Sequence, residues 1–103
     1  MADVIVIGTT PTFEYTFKTV SPSDLATAIF TVKTMGRIVI RKTFADAEVG
    51  EDSLSFTLSQ EETLSIGTHT ATVMLNWVTA SGLRGIGKTI TIVGGDNHIR
   101  EVI

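Results

Sequence analysis

The sequence predicts an all-β fold, an antiparallel, immunoglobulin-like β-sandwich of seven or eight strands with one short helical turn near residues 60–65. Side chains alternate between apolar and polar along segment after segment, as in Phe13, Tyr15 and Phe17, and again in residues 71–77. A period of two is typical of half-buried strands. Turn residues recur at the spacing expected of a sandwich, and no βαβ pattern interrupts them.

The predicted strands follow one another with short connections. In chain order they span residues 4–7, 12–19, 28–33, 38–40, 53–58, 69–78 and 84–93. The segment 28–33 is apolar on both faces, as in an inner strand. We expect Ile86, Ile90 and Ile92 to share one face of the seventh strand, which returns antiparallel to the sixth.

The connections carry their own signals. Met35-Gly36 predicts a hairpin in which Gly36 supplies a positive φ. Ser59 and Glu62 form a capping-box pattern, which predicts one helical turn that ends before Gly67. We expect residues 45–52 to form an acidic loop.

Composition limits the chain to one domain, residues 1–103. The chain is 43% apolar and only 18% charged, so the core is ample and part of the surface is expected to be covered by a partner. It has no cysteine, so neither disulfides nor thiolate metal sites contribute. The net charge of −3 argues against a role in nucleic-acid binding, and residues 37–42 hold the one local basic group.

The start of the chain gives no sign of export. The apolar run from Val4 to Ile7 follows no basic stretch and is too short for a signal peptide or a membrane span. We therefore expect synthesis in the cytoplasm and no contact with a membrane.

Residues 82–89 match the phosphate-binding pattern G-x-x-x-x-G-K-T letter for letter. Such a loop needs a helix that starts at its lysine, so that helix and backbone amides point at phosphate. Here Thr-Ile-Thr-Ile-Val follows Lys88, which is typical of a strand. We expect no nucleotide site, and interpret the glycines as places for a bulge or a close sheet contact.

Other chemistry-bearing residues are sparse. The acidic residues of loop 45–52 fail the spacing of an EF-hand, and His69 and His98 have no obvious ligand companion. No nucleophile-turn motif is present. We therefore predict no catalytic, cofactor-binding or metal-binding residue and no enzyme activity, and we expect Trp77 to be the large buried residue around which the sheets pack.

Three segments together carry a resemblance: residues 8–18, residues 58–64, and residues 73–77 followed by Arg84-Gly85. The set resembles small structural proteins of tailed phages and prophages of Gram-positive bacteria, similar to the N-terminal domain of the baseplate upper protein. The resemblance implies a virion component of the tail or baseplate, present in several copies and bound to other phage proteins. It implies no catalytic residue.

The first hypothesis is thus a non-catalytic phage assembly or adaptor domain, a homo-oligomer located in the virion. Residues 1–7 and 99–103 are its expected assembly arms, and 99–103 either pair as a last strand or dock on a neighbouring subunit. Two alternatives stay open, a carbohydrate- or receptor-binding module and a head decoration protein. A nucleotide-binding protein or enzyme that uses residues 82–89 is a third class, which nucleotide titration tests.

Overall fold

Two β-sheets pack face to face in the computed structural model, which describes residues 3–99 and 101–103. One short helix and two 3₁₀ turns, Pro22–Asp24 and Phe44–Asp46, complete the regular structure there. The strands of this part of the chain are β1 (Asp3–Val6), β2 (Thr12–Thr16), β3 (Leu25–Thr34), β4 (Arg37–Thr43), β5 (Glu48–Val49), β6 (Ser53–Thr57), β7 (Thr70–Thr79), β8 (Arg84–Ile86) and β9 (Ile90–Gly95).

Sheet A has the order β1-β9-β7-β3-β4, with β8 also paired to β7, and sheet B has the order β2-β6-β5. The strands β3, β7 and β9 thus take the places of C, F and G in an immunoglobulin variable-type sandwich, and β4 takes that of the added C′ strand. The all-β sandwich is confirmed. The strand pairing differs from the predicted antiparallel sandwich at one place. The strand β1 pairs parallel to β9, whereas every other pairing in the described residues is antiparallel.

The core lies between the inner faces of the two sheets. Phe30 of β3 is fully buried and stacks on Phe56 of β6 with ring centroids 4.7 Å apart. Phe13 and Tyr15 of β2 also pack on Phe30. The central aromatic is therefore Phe30, and the expectation for Trp77 was wrong: Trp77 is half-buried and packs edge-to-face on Phe17 at 5.9 Å.

Helix α1 (Gln60–Ile66) carries the chain from sheet B to sheet A. The capping box is confirmed: the Glu62 N–H donates to Ser59 Oγ at 3.2 Å, and the Ser59 N–H donates to Glu62 Oε1 at 2.8 Å. The buried Thr63 hydroxyl accepts from the Gly8 N–H and donates to the Thr9 carbonyl. These bonds fix the helix to the connection between β1 and β2.

The hairpin between β3 and β4 turns at Met35 and Gly36, with φ values of 52° and 77°. The positive φ predicted at Gly36 is confirmed. Two positive φ angles in succession are typical of a type I′ turn, whose twist suits a hairpin. Met35 takes the left-handed conformation although it has a Cβ.

Several predicted boundaries differ from the observed ones. The second strand ends at Thr16 rather than at residue 19, and the acidic loop 45–52 contains the two-residue strand β5. The segment 84–93 is two strands, β8 and β9, with no regular structure at residues 87–89. Residues 101–103 form no strand, and residues 1, 2 and 100 of the expected arms lie outside the described residues.

Candidate interaction surface

The loop that matches the phosphate-binding pattern is part of sheet A. Residues 84–86 form β8 and residues 90–95 form β9, so Lys88 lies between two strands. The backbone N–H of Gly87 donates to the Leu75 carbonyl at 2.8 Å. The helix N-terminus on which a phosphate site depends is missing at this place in the chain.

The glycines of this loop make room for two aromatic rings, which confirms their interpretation as sites of close contact. A Cβ on Gly85 would collide with the indole of Trp77, the residue opposite it on β7. A Cβ on Gly87 would come within 2.8 Å of Cδ1 of Tyr15. The spacing of these two glycines therefore reflects packing.

A one-residue shift in pairing separates β8 from β9. Ile86 lies opposite Asn76 on β7, whereas Ile90 lies opposite Val73, so four steps on one strand match three on the other. This bulge reverses the side-chain alternation. Ile86 is consequently 61% exposed on the outer face, and the prediction that it shares a face with Ile90 and Ile92 was wrong.

The acidic segment 45–52 uses one of its carboxylates as a cap. The Thr43 backbone N–H donates to Asp46 Oδ2 at 2.9 Å and lowers the pKa of that carboxyl below its usual value. Glu48 belongs to β5 and points outward. His69 lies beside Gly67, and His98 lies in an irregular segment after β9. Within the described residues, no three His, Asp or Glu side chains are grouped so that they could hold a metal ion.

The feature that sequence reasoning did not locate is the outer face of sheet A. It is defined by the outward side chains of Val4 and Val6 (β1), Thr27, Ile29, Thr31 and Lys33 (β3), Ile38, Arg41 and Thr43 (β4), Thr70, Thr72, Met74, Asn76 and Val78 (β7), Arg84 and Ile86 (β8), and Thr91 and Val93 (β9). Most are aliphatic or threonine. Val4 is 67% and Ile38 is 58% exposed. No element of the described chain covers this face.

The charges on this face have one sign. Lys33, Arg41 and Arg84 are its charged residues within the described chain, although the protein carries a net charge of −3. Arg41 is on the edge strand β4, and Arg84 is on the short strand β8. A shallow groove of about 500 Å³ crosses the face beside Ile29, Val78 and Ile86.

The outer face of sheet B has a different composition. Glu14 and Glu48 lie on either side of Ser55 across neighbouring strands. The hydroxyls of Thr12 and Thr57 form a hydrogen bond of 2.8 Å with each other. Hydroxyl and carboxylate groups of this kind are well solvated, so this face has little need of a partner.

The expected arms have different surroundings. β1 is hydrogen-bonded to β9 at the edge of sheet A, and Ile7 is buried with 2% exposure. Beyond β9, the Ile103 N–H donates to the Gln60 side chain, and Ile99, Val102 and Ile103 are exposed. Their role as assembly arms stays a prediction.

Comparisons of the chain with protein-family models, curated proteins and solved structures find no match. The described residues contain no helix that is both long enough and apolar enough to cross a membrane.

Proposed function

We propose that this protein is a structural component of a tailed-phage virion, a non-catalytic assembly domain of the tail or baseplate that acts through protein–protein contacts. The sequence resemblance suggests this class of protein. The observation that carries the assembly role is the uncovered outer face of sheet A, on which aliphatic and threonine side chains predominate. Contiguous apolar patches larger than a few hundred Å² are uncommon on monomeric proteins and often mark interaction sites.

The composition of this face fits a protein partner better than a small molecule. Its groove beside Ile29, Val78 and Ile86 is open, whereas small-molecule sites enclose most of their ligand and place a few polar groups precisely. Residues such as Ile, Val and Thr also form the packed inner faces of β-sandwiches, so a face made of them suits packing against another protein surface. This geometry supports the proposed structural role.

The carbohydrate-binding alternative lacks a structural feature that favours it. Glycan modules use exposed aromatic rings as stacking platforms, and this chain has five Phe, one Tyr and one Trp. All of these rings belong to the core or pack against it. Nothing on the described surface replaces them as a platform.

Localisation in particles tests the proposal. Antibodies raised against the recombinant protein are applied, with gold labels, to tailed particles purified from the strain that carries the gene. We expect labels at one fixed position along the tail or baseplate, and peptides of the protein in the mass spectrum of the purified particles. Protein found only in the particle-free supernatant would refute the proposal.

A further inference from the structure

We infer that the outer face of sheet A binds the same face of a second copy of this chain, so that the protein forms a two-fold symmetric dimer. The inference rests on the proposed assembly role and names the partner of that surface. Closed two-fold dimers are the commonest homo-oligomers, and they require one patch that complements itself. The outer face of sheet A meets that requirement in its area and in the uncharged side chains at its centre.

The face presents aliphatic and hydroxyl side chains, and no aromatic ring of the described chain belongs to it. At the centre of the face, Ile29 and Thr31 on β3 and Met74 and Val78 on β7 are half-buried by their neighbours within one chain, and the exposed Asn76 lies between the two β7 residues. Such β-branched and flexible apolar residues line the inner faces of sandwiches, where two sheets pack about 10 Å apart. Two copies can pack these centres together in the same way.

The area of the face suits a dimer. Five strands spaced about 4.8 Å apart, the central ones ten residues long, span roughly 20 Å by 30 Å. Each copy would then bury roughly 600 Å², at the lower end of the amount per partner in a standard stable interface. The three-stranded sheet B, whose longest strands have five residues, offers a much smaller face.

The charges lie toward the margin of the face. Arg41 is on the outermost strand, Arg84 is on β8, and Lys33 is one residue from the end of β3. Long basic side chains at a rim can cover apolar surface while their charged groups stay in water. Because two such faces bring like charges near each other, added salt should strengthen the dimer by screening.

This salt dependence separates the dimer from a second arrangement of copies. A head-to-tail contact would place Lys33, Arg41 and Arg84 against Glu14 and Glu48 of sheet B in the next copy. Such a contact depends on opposite charges, and salt would weaken it. It would also leave the aliphatic centre against hydroxyl groups.

The test is sedimentation equilibrium of the whole purified protein over a range of protein and salt concentrations. We expect a monomer–dimer equilibrium whose dissociation constant falls as sodium chloride is raised. The variants Met74→Lys and Ile86→Lys place a charge in the contact and should raise the dissociation constant at least about thirtyfold. Val49→Lys is the matched control, since Val49 on β5 is 55% exposed, similar to the 61% of Ile86, and lies outside the face.

Circular dichroism and thermal melting establish that each variant is folded. If Met74→Lys does not fold, Ile86→Lys alone tests the inference. Residue 86 is the more exposed of the two, so a lysine there should disturb the fold less. A wild-type protein that stays monomeric at about 1 mM, where even a weak dimer is half formed, would overturn the inference. So would dissociation by salt, or a loss of association in Val49→Lys alone. A failed dimer leaves the gold-labelling result unchanged, so the two proposals fail separately.

Discussion

The two sheets of this sandwich share one core but present opposite chemistry to their surroundings. The outer face of sheet A is aliphatic, threonine-rich and cationic, whereas that of sheet B is made of hydroxyls and carboxylates. The inner faces of both are equally apolar and buried. Since the core accounts only for the inner residues, the aliphatic residues outside sheet A need another explanation, and an interface provides one.

The largest difference in stability is expected between variants of an inner and an outer residue on the same strand. Leu75 of β7 is fully buried, and its neighbour Met74 points outward. We expect Leu75→Ala to lower the free energy of unfolding by about 2–5 kcal/mol, because it leaves a cavity. Met74→Ala should cost below about 1 kcal/mol in the monomer. Denaturant unfolding at low protein concentration measures both, and equal losses would contradict the assignment of the two faces.

A second variant tests the corner where β8 meets the aromatic rings. Gly85→Ala should lower stability by about 1–3 kcal/mol, since the added methyl group forces the Trp77 indole to move. Arg84→Ala on the same strand is the control and should be nearly neutral. In a Trp77→Phe background the cost of Gly85→Ala should shrink. An unchanged cost in the double-mutant cycle would show that the ring is not the obstacle.

Helix α1, which connects sheet B to sheet A, should make a smaller and pH-dependent contribution to folding stability. Partial burial raises the pKa of Glu62, but the Ser59 N–H and the Lys42 ammonium group, 3.0 Å away, outweigh it and hold that pKa below its ordinary value of 4.5. The ionised carboxylate therefore stabilises the fold above pH 4.5, and this contribution is lost as the pH falls below that value.

Replacing Glu62 by Gln tests this linkage. The variant should lose about 0.5–1 kcal/mol near neutral pH, because the ion pair disappears and the capping box is weakened. It should also show a flatter loss of stability below pH 4.5 than the wild type. Parallel acid-unfolding curves for the two proteins would argue against a role for this carboxylate. Glu61→Gln, which changes the neighbouring acidic residue, is the control.

The smallest change in stability is expected for the Tyr15 hydroxyl, on the inner face of sheet B. Tyr15 is 6% exposed, and its hydroxyl has no hydrogen-bond partner among the described residues. Removing an unpartnered buried hydroxyl does not sacrifice a bond, so Tyr15→Phe should change stability by at most about 1 kcal/mol near neutral pH. A larger loss would reveal a partner for this group.

Alkaline titration sharpens the same point. Burial raises the pKa of Tyr15 to about 12, from 10.0. The pKa of the Tyr15 phenol is therefore higher in the folded chain than in the unfolded chain. The contribution of the neutral phenol to folding stability is complete below pH 10 and is lost as the pH rises through about 12. Because the chain has one tyrosine, tyrosinate absorbance reports this group alone. The Phe variant should lack this part of the alkaline destabilisation.

The inner faces could be predicted from the sequence because their residues contrast with those beside them. Phe13 and Tyr15 alternate with Thr and Glu, and the capping box of Ser59 and Glu62 is a local pattern. The bulge after Ile86 could not be predicted, since isoleucines at 86, 90 and 92 look like one uninterrupted face. The parallel pairing of β1 with β9 joins residues 89 positions apart and has no local signal.

The candidate surface was foreseen only as a general need for a partner, from the low charge content of the chain. The residues of 28–33 showed apolar character on both sides, which is compatible with an inner strand of any sheet. The face depends on β3 and β7 being neighbours and on no element of the described residues lying over them. That knowledge depends on tertiary topology and not on any single segment.

The irregular residues 87–89 give this protein a simple way to alter one corner of its surface. Side-chain direction reverses with each residue along a strand, so one residue gained or lost here would turn all of β8 over. Leu83 and Gly85 would then exchange sides with Arg84 and Ile86. A length variant at this point would thus place a side chain where Gly85 now leaves room for the Trp77 indole, so it would change the packing of this corner as well as its outer surface.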